Sequence, residues 1–321
     1  MPWTSLHAHL HQTLKQRRLL EPGRRVLVAV SGGQDSVCLL KLLLDLQPKW
    51  GWQLAIAHCD HCWETDIGIA DFVHNLAHTW KLPFHLQTAA QVNPTEAGAR
   101  EWRYQALSEI ARQHAYSHVA TGHTASDRAE TLLYNLVRGS GADGLQALTW
   151  RRSLLADVVL IRPLLAVTRS ETAQFCQDMQ LQIWEDAANQ NLKYARNRIR
   201  QELLPYLKTH FNPKTEQALA QTAELLQADV DYLETEAAVL LQRLRHPDQP
   251  GFNRSLLRQA PLALQRRVIR QWLKSEIACA PNFEQIEKVV ALLAAPNRSQ
   301  TDPFPGGAIA HVETDWIWLK Y

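Results

Sequence analysis

No run of apolar residues in this 321-residue chain reaches the ~18 needed to span a bilayer. Its first residues, MPWTSLHAHLHQTLKQRRLL, lack the basic-then-apolar-then-small order of a secretory leader. The chain therefore reads as a cytoplasmic protein that makes no use of a membrane. Cysteine is scarce: five residues, at positions 38, 59, 62, 176 and 279, form no regular framework. An odd, scattered set argues against a disulfide scaffold and fits a reducing compartment. No glycine precedes a lysine anywhere, which excludes the Walker A phosphate loop. Internal repeats and low-complexity tracts are absent. The formal net charge is only +2, so composition alone does not announce a nucleic-acid binder. A slight basic excess before residue 215 gives way to a slight acidic one after it, and any RNA footprint must come from local arginine clusters, mainly in the first part.

What is present begins with alternation. Arg25–Ser31, Leu54–His58, Phe84–Gln87 and Val119–Gly122 are short apolar stretches of strand character. Helical patterns near 36–47, 64–80, 96–114 and 125–138 separate them. Strands alternating with helices predict an α/β fold, a parallel sheet with helices on both faces. Ligands of such sheets lie at the carboxyl ends of the strands. A boundary is expected near residues 209–213, with Asn212 as N-cap and Pro213 as first helical residue. That division gives a catalytic domain over 1–211 and a smaller, mainly helical one over 212–321. The second contains a long amphipathic helix, helices near 261–275 and 283–294, and a terminal hairpin of AIAHV and WIWLK.

The strongest local signal is Ser31-Gly32-Gly33-Gln34-Asp35-Ser36, between a strand and a helix. Two glycines allow close approach of backbone to phosphate, and helix-start amides point at the anion. Ser31 and Ser36 add hydroxyl donors. Asp35 repels phosphate unless a cation such as Mg²⁺ lies between them. The turn is neither Walker A nor GxGxxG. It resembles the loop of the PP-loop ATP pyrophosphatases, which cleave ATP between the α and β phosphates and leave AMP on the substrate.

Four further segments resemble tRNA(Ile)-lysidine synthetase within that superfamily. The first is His58-Cys59-Asp60-His61 after the second strand, beside the expected adenosine. The second is Glu96 through Tyr104, where Asn93, Pro94 and Glu96 read as a helix-start capping box and Arg100 and Arg103 share one helix face. The third runs Thr121-Gly122-His123-Thr124-Ala125-Ser126-Asp127-Arg128-Ala129-Glu130. Asp127 and Glu130 form a compact acidic pair there, which needs either Mg²⁺ or a substrate ammonium to balance it. The family usually has His where Thr124 stands and Gln where Arg128 stands. The fourth gathers Asn135 to Leu145 with Arg138, then Arg162-Pro163-Leu164-Leu165, Trp184 to Asn189, and Arg196-Asn197-Arg198-Ile199-Arg200.

The resemblance, spanning about Arg25 to Arg200, implies a short form without the additional carboxyl-terminal domain of longer members. It also implies a ligase that adenylates the 2-oxygen side of the first anticodon cytidine of a CAU-bearing isoleucine tRNA, then joins L-lysine to carbon 2. It would place ATP on Ser31, Gly32, Gly33, Gln34, Asp35, Ser36 and His58, with Mg²⁺ on Asp35. Chemistry would fall to Asp35, Arg103, His123, Asp127 and Glu130, and tRNA or lysine contacts to Arg100, Arg138, Arg196, Arg198 and Arg200. A homodimer is left open. Two enzyme alternatives stand beside this reading: a PP-loop tRNA thiolation enzyme using Cys59 and Cys62, and a small-molecule amide-forming ligase. A nucleotide sensor without catalysis is the third.

Overall fold

Val26, Leu27 and Val28 are wholly buried in succession, the mark of a strand covered on both faces. They form the middle of a six-stranded sheet in the computed structural model, which describes residues 3–63, 66–90, 95–184, 192–277 and 280–321. In chain order its first part comprises α1 (Ser5–Gln16), β1 (Arg25–Ala29), α2 (Gln34–Trp50), β2 (Gln53–Asp60), α3 (Ile69–Thr79), β3 (Phe84–Thr88), α4 (Glu96–Gln113), β4 (His118–Thr121) and α5 (Ala125–Val137). Next come α6 (Ala142–Leu145), β5 (Arg151–Ser153), β6 (Val159–Ile161), α7 (Arg169–Asp178), α8 (Ala195–Arg198), a π-helical turn over Ile199–Leu203, and α9 (Leu204–His210).

The strand order is β3-β2-β1-β4-β6-β5, parallel except for the edge strand β5. Alternate side chains go to opposite faces. Val26, Val28, Leu54 and Ile56 pack with α1, α2, α3 and α7, while Leu27, Ala55 and Ala57 pack with Leu107, Ile110 and Ala111 of α4. The predicted parallel sheet with two helical layers is what forms. Its order reverses at β1, with β2 and β3 to one side and β4 to the other. The crevice between the ends of β1 and β4 is thus the topological switch point, where open α/β sheets bind ligands. The glycine-rich turn follows β1, and Gly122 and His123 follow β4.

Some local expectations change. The N-cap of α4 is Thr95, whose hydroxyl accepts from the Gly98 amide at 3.1 Å. Asn93, Pro94 and the Glu96 side chain lie outside the described residues, as do Glu185 to Asn189 and Cys279. Helix α3 starts at Ile69 rather than 64 because Gly68 precedes it in a left-handed conformation, φ +88°. Cys38 and Cys176, which stand apart in sequence, meet as buried neighbours between α2 and α7; their shared hydrogen bond, and then burial, push the Cys38 thiol up.

The chain divides into two compact units, Met1–Leu226 and Gln227–Tyr321. The division falls inside α10 (Thr215–Leu244), some way beyond the Asn212 boundary read from sequence. Asn212 does cap near that helix: its Oδ1 accepts from the Lys214 amide at 2.9 Å. The second unit adds β7 (Gly251–Asn253), α11 (Arg254–Leu257), α12 (Leu262–Glu276), α13 (Phe283–Leu292), β8 (Ile309–Glu313) and β9 (Trp316–Lys320). The terminal hairpin is present, and β7 joins it as a third strand. Trp272, Phe252, Val289 and Ile317 centre its core. Among the described residues no helix is long and apolar enough to cross a membrane.

Arg128 illustrates how α10 is tied into the first unit. It is buried, 1% exposed, and donates to Glu224 at 2.6 Å, a carboxylate that also accepts from Trp150 Nε1 at 2.6 Å and Arg17 at 2.6 Å. These donors hold the Glu224 carboxyl below its ordinary range, against its own desolvation. A carboxylate depressed in the fold stabilises above its unfolded pKa, and the stability goes as pH falls through the folded value. Glu224→Gln should therefore destabilise by about 2–3 kcal/mol at neutral pH, by stranding a buried guanidinium but discounted for the partial exposure of Glu224. The gap from wild type should close toward acid in urea melts taken across pH.

Candidate active site

The cleft at the switch point has a volume of about 740 Å³ and is lined by the Ser31–Ser36 turn, His58, Arg103, His123, Asp127 and Arg169, among others. The turn owes its shape to Gly32, at φ +85°, a region that side-chain-bearing residues avoid. Gly33 then caps α2 in extended conformation, and the first turn of α2 leaves amides without helical partners to face the cleft. Ser36 is held in place: its hydroxyl donates to Gly33 O at 2.8 Å and accepts from the Ser31 amide at 3.2 Å. His58 is buried, with Nδ1 on Val30 O at 2.8 Å. That contact requires a proton on Nδ1.

Gly122 closes the other side. A Cβ there would lie 2.8 Å from Asp35 O and 2.9 Å from Ser36 N, both backbone atoms. The end of β4 therefore approaches the phosphate turn as closely as main chain allows. We expect Gly122→Ala to displace the turn, with KM for ATP rising at least about 10-fold and stability falling by about 1–3 kcal/mol, as overpacking does. Pyrophosphate-exchange kinetics and a thermal melt would report both.

The acidic residues meet as expected, but with a partner that the motifs do not reveal. Arg169, first residue of α7, offers each guanidinium nitrogen to a different carboxylate. Nε lies 3.2 Å from Asp35 Oδ2, Nη2 2.6 Å from Asp127 Oδ1, and Nη1 2.8 Å from Glu130 Oε1. Arg200 adds a second cation, its Nε 2.8 Å and Nη2 3.0 Å from the Glu130 oxygens. The acidic pair is thus balanced by two arginines of the chain itself, which corrects the inference that Mg²⁺ or a substrate ammonium must do so. Arg200, which the resemblance assigns to tRNA or lysine, turns into the cleft at an interruption of the helix: Ile199–Leu203 is a π turn, off the regular α-helical spacing.

Asp127 has a second duty. Its Oδ2 accepts from the Thr124 amide and hydroxyl, each at 2.7 Å, closing a capping box at the start of α5. Despite desolvation, Arg169 and these donors keep its carboxyl below the ordinary range. Asp35 is driven the other way, mainly by burial, although Arg169 and the Thr172 hydroxyl hold it. His123 is pushed down to about 3 by burial and by the charges of Arg162, Arg100 and Arg103, in spite of Asp127. It is neutral near pH 7, with Nδ1 2.9 Å from Thr121 Oγ1.

Of the remaining arginines, Arg103 lines the cleft and Arg100 stands over the Tyr104 ring, 5.6 Å from its centroid. Arg138 and Arg196 both lie against Tyr134, at 5.1 and 5.7 Å. Arg198 instead binds the carbonyls of Leu192 and Lys193. Thr124 and Arg128, the two departures from the family pattern, are occupied by the cap and by Glu224. Cys59 is half-buried, and desolvation pushes its thiol up to about 12 although Arg103 lies near. Among the described residues no three His, Cys, Asp or Glu side chains are grouped to hold a metal ion.

A PP-loop domain model matches residues 3–207, and a model described as the TilS substrate binding domain matches 252–318. A tRNA(Ile)-lysidine synthase of Nostoc sp. is 61% identical, the match covering 100% of this chain and 98% of that one. The chain belongs to the tRNA(Ile)-lysidine synthase family. A second relative of that name, from Synechocystis sp., is 56% identical over 100% of this chain and 99% of its own. A chloroplastic tRNA(Ile)-lysidine synthase of Zygnema circumcarinatum is 37% identical over 90% and 80%. The U34-tRNA thiolase NcsA from Methanococcus maripaludis, solved with its 4Fe–4S cluster, aligns over 69% of this chain and 78% of its own, with a TM-score of 0.58 and 15% identity. That likeness shows the shared fold and nothing of the chemistry. Membership in the lysidine synthase family answers the thiolation and amide-ligase alternatives, and the raised Cys59 thiol agrees with it.

Proposed function

We propose that the protein joins L-lysine to the first anticodon cytidine of an isoleucine tRNA bearing CAU, at the expense of ATP, with release of AMP and pyrophosphate. The observation carrying this reading is the juxtaposition at one switch point of a glycine turn built for phosphate with a carboxylate cluster built for cations. The cytosine 2-oxygen attacks the α-phosphate, and pyrophosphate departs onto the amides of the Ser31–Ser36 turn. The lysine ε-amine then attacks carbon 2, and AMP leaves. The anticodon loop is single-stranded, so presenting the base is inexpensive compared with opening a duplex. The reaction belongs to the cytoplasm, where charged nucleotide and tRNA pools lie.

An ammonium of pKa ~10.4 is neutral about once in a few thousand molecules at pH 7, so the nucleophile costs roughly 4–5 kcal/mol to produce. Asp127 and Glu130 orient the incoming amine and one of them receives its proton. Arg169 and Arg200, already in the cluster, oppose a further full positive charge there and so favour the neutral amine. His123, neutral near pH 7, serves as a hydrogen-bonding group. Asp35, a single carboxylate beside the phosphate turn, suits the way Mg²⁺ is usually held, by one or two carboxylates together with substrate phosphates; such an ion would neutralise charge on the departing pyrophosphate.

Purified protein incubated with labelled lysine, ATP and bulk tRNA should place label in RNA. Label that fails to enter RNA, under conditions where ATP is consumed, would refute the reading.

A further inference from the structure

Beyond the cleft lies a second cavity of about 340 Å³, formed between α4 and the β5–β6 edge and lined by Tyr104, Ser108, Arg112, Arg152, Leu154 and Leu155 among others. Tyr104 borders both cavities and gives them a shared aromatic wall. The wall is ringed by guanidinium groups. Arg100 and Arg152 lie 5.6 and 5.2 Å from its ring centroid, and buried Arg162 donates to its hydroxyl at 3.4 Å.

Positive charge is in excess there. Arg128, Arg169 and Arg200 all end on carboxylates, whereas Arg100, Arg103, Arg112 and Arg152 form no salt bridge to a carboxylate among the described residues. Glu109, the acid on the cavity lining, accepts from Gln105 at 3.2 Å. Arg112 and Arg152 line the cavity against the single acid Glu109, and Arg100 and Arg103 lie on the same helix α4; such an excess of cations suits a polyanion. Leu154, Leu155 and the tyrosine ring supply the apolar and aromatic surface that a nucleobase needs.

We propose that this second cavity seats the nucleotide adjoining the modified base, its phosphates on Arg112 and Arg152 and its base against Tyr104 and the Leu154–Leu155 wall. The inference rests on the tRNA reading above and gives it a path: the target base enters the cleft while its neighbour is held on the far side of Tyr104. An unpaired neighbour fits, since a stacked duplex offers no free base to such a pocket.

The test compares wild type with Arg112→Gln, Arg152→Gln and the double variant, using an isoleucine tRNA transcript. Both arginines are exposed, so folding should be within the small range typical of surface changes, and a thermal melt checks it. Each substitution should raise KM for tRNA several-fold, with KM for ATP and for lysine unchanged. The slope of log Kd against log salt should shallow by roughly 0.7–1 per arginine. A transcript abasic at a nucleotide next to the target should bind wild type about 10-fold more weakly. An unchanged KM and salt slope in the double variant would overturn the proposal, as would a parallel rise in KM for ATP or full-strength binding of transcripts abasic on either side. Wild type that labels no RNA would instead refute the underlying function, so the two failures are told apart.

Discussion

Arg169→Ala should reduce turnover by about 1,000-fold or more and destabilise the protein by about 2–4 kcal/mol. The side chain is 27% exposed and reaches carboxylates on two helices, Asp35 on α2 and Asp127 and Glu130 on α5. Its backbone serves the same junction, since its carbonyl accepts from Gln34 Nε2 at 2.7 Å and its amide donates to Ser126 Oγ at 3.0 Å. Those backbone bonds survive the substitution. What is lost is the cation, leaving three carboxylates close together with only Arg200 to answer them, and removing one partner of a buried pair typically costs about 3–5 kcal/mol before any discount for exposure. The carboxylates will respond by binding protons. Asp35, already pushed up by burial, is the first candidate, and a group protonated in the fold at pH 7 is no longer an anchor for charge. Arg169→Lys separates shape from charge. A single ammonium cannot meet three carboxylates at once, so it should recover part of the stability and little of the turnover. Equal stability of the alanine variant and wild type in urea would contradict this role.

Asp127→Asn should lower the lysine-dependent step by about 100- to 1,000-fold, within what a lost proton acceptor costs, while ATP still binds. Asparagine is nearly isosteric and its carbonyl oxygen can still accept from the Thr124 amide, so the α5 cap is kept. Its amide nitrogen then faces Arg169 in place of Oδ1, so that ion pair and its hydrogen bond are lost, while Arg169 keeps Asp35 and Glu130. Stability should therefore change far less than activity, and the distinction is measurable: unchanged affinity for ATP, a melt close to wild type, and a collapse of lysine incorporation. A variant that incorporates lysine at the wild-type rate removes Asp127 from the chemistry. His123, held near 3, should contribute no limb of its own between pH 5 and 8 to the rate profile of either protein.

The sequence made the sheet and the turn legible because both are local. Continuous apolar runs bounded by breakers mark β1 and β2, and the glycine turn carries its own signature. The acidic pair after β4 was visible for the same reason, lying one turn apart on a single helix. Arg169 was not, since it sits in VTRSET, a stretch that reads as an ordinary helix start with Thr168 capping and Glu171 completing the box. Its function appears only once α7 packs on α2, bringing together residues 134 positions apart. Arg200 escapes for a related reason: its aim into the cleft follows from a π turn that no residue pattern announces. The three-residue strands β5 and β6 are too short for alternation to register, and with them went the edge that frames Arg152. Helix α1, whose buried face is Leu6, Leu10 and Leu14 among histidines and glutamines, is outweighed locally by its polar residues.

The most direct test of the central claim is the product balance of a single reaction containing ATP, lysine and isoleucine tRNA. Turn amides that receive a departing pyrophosphate, beside carboxylates that present an amine, predict one AMP and one pyrophosphate for each lysine fixed in RNA. ADP and inorganic phosphate as products, or nucleotide consumption that persists undiminished after ribonuclease treatment, would contradict it.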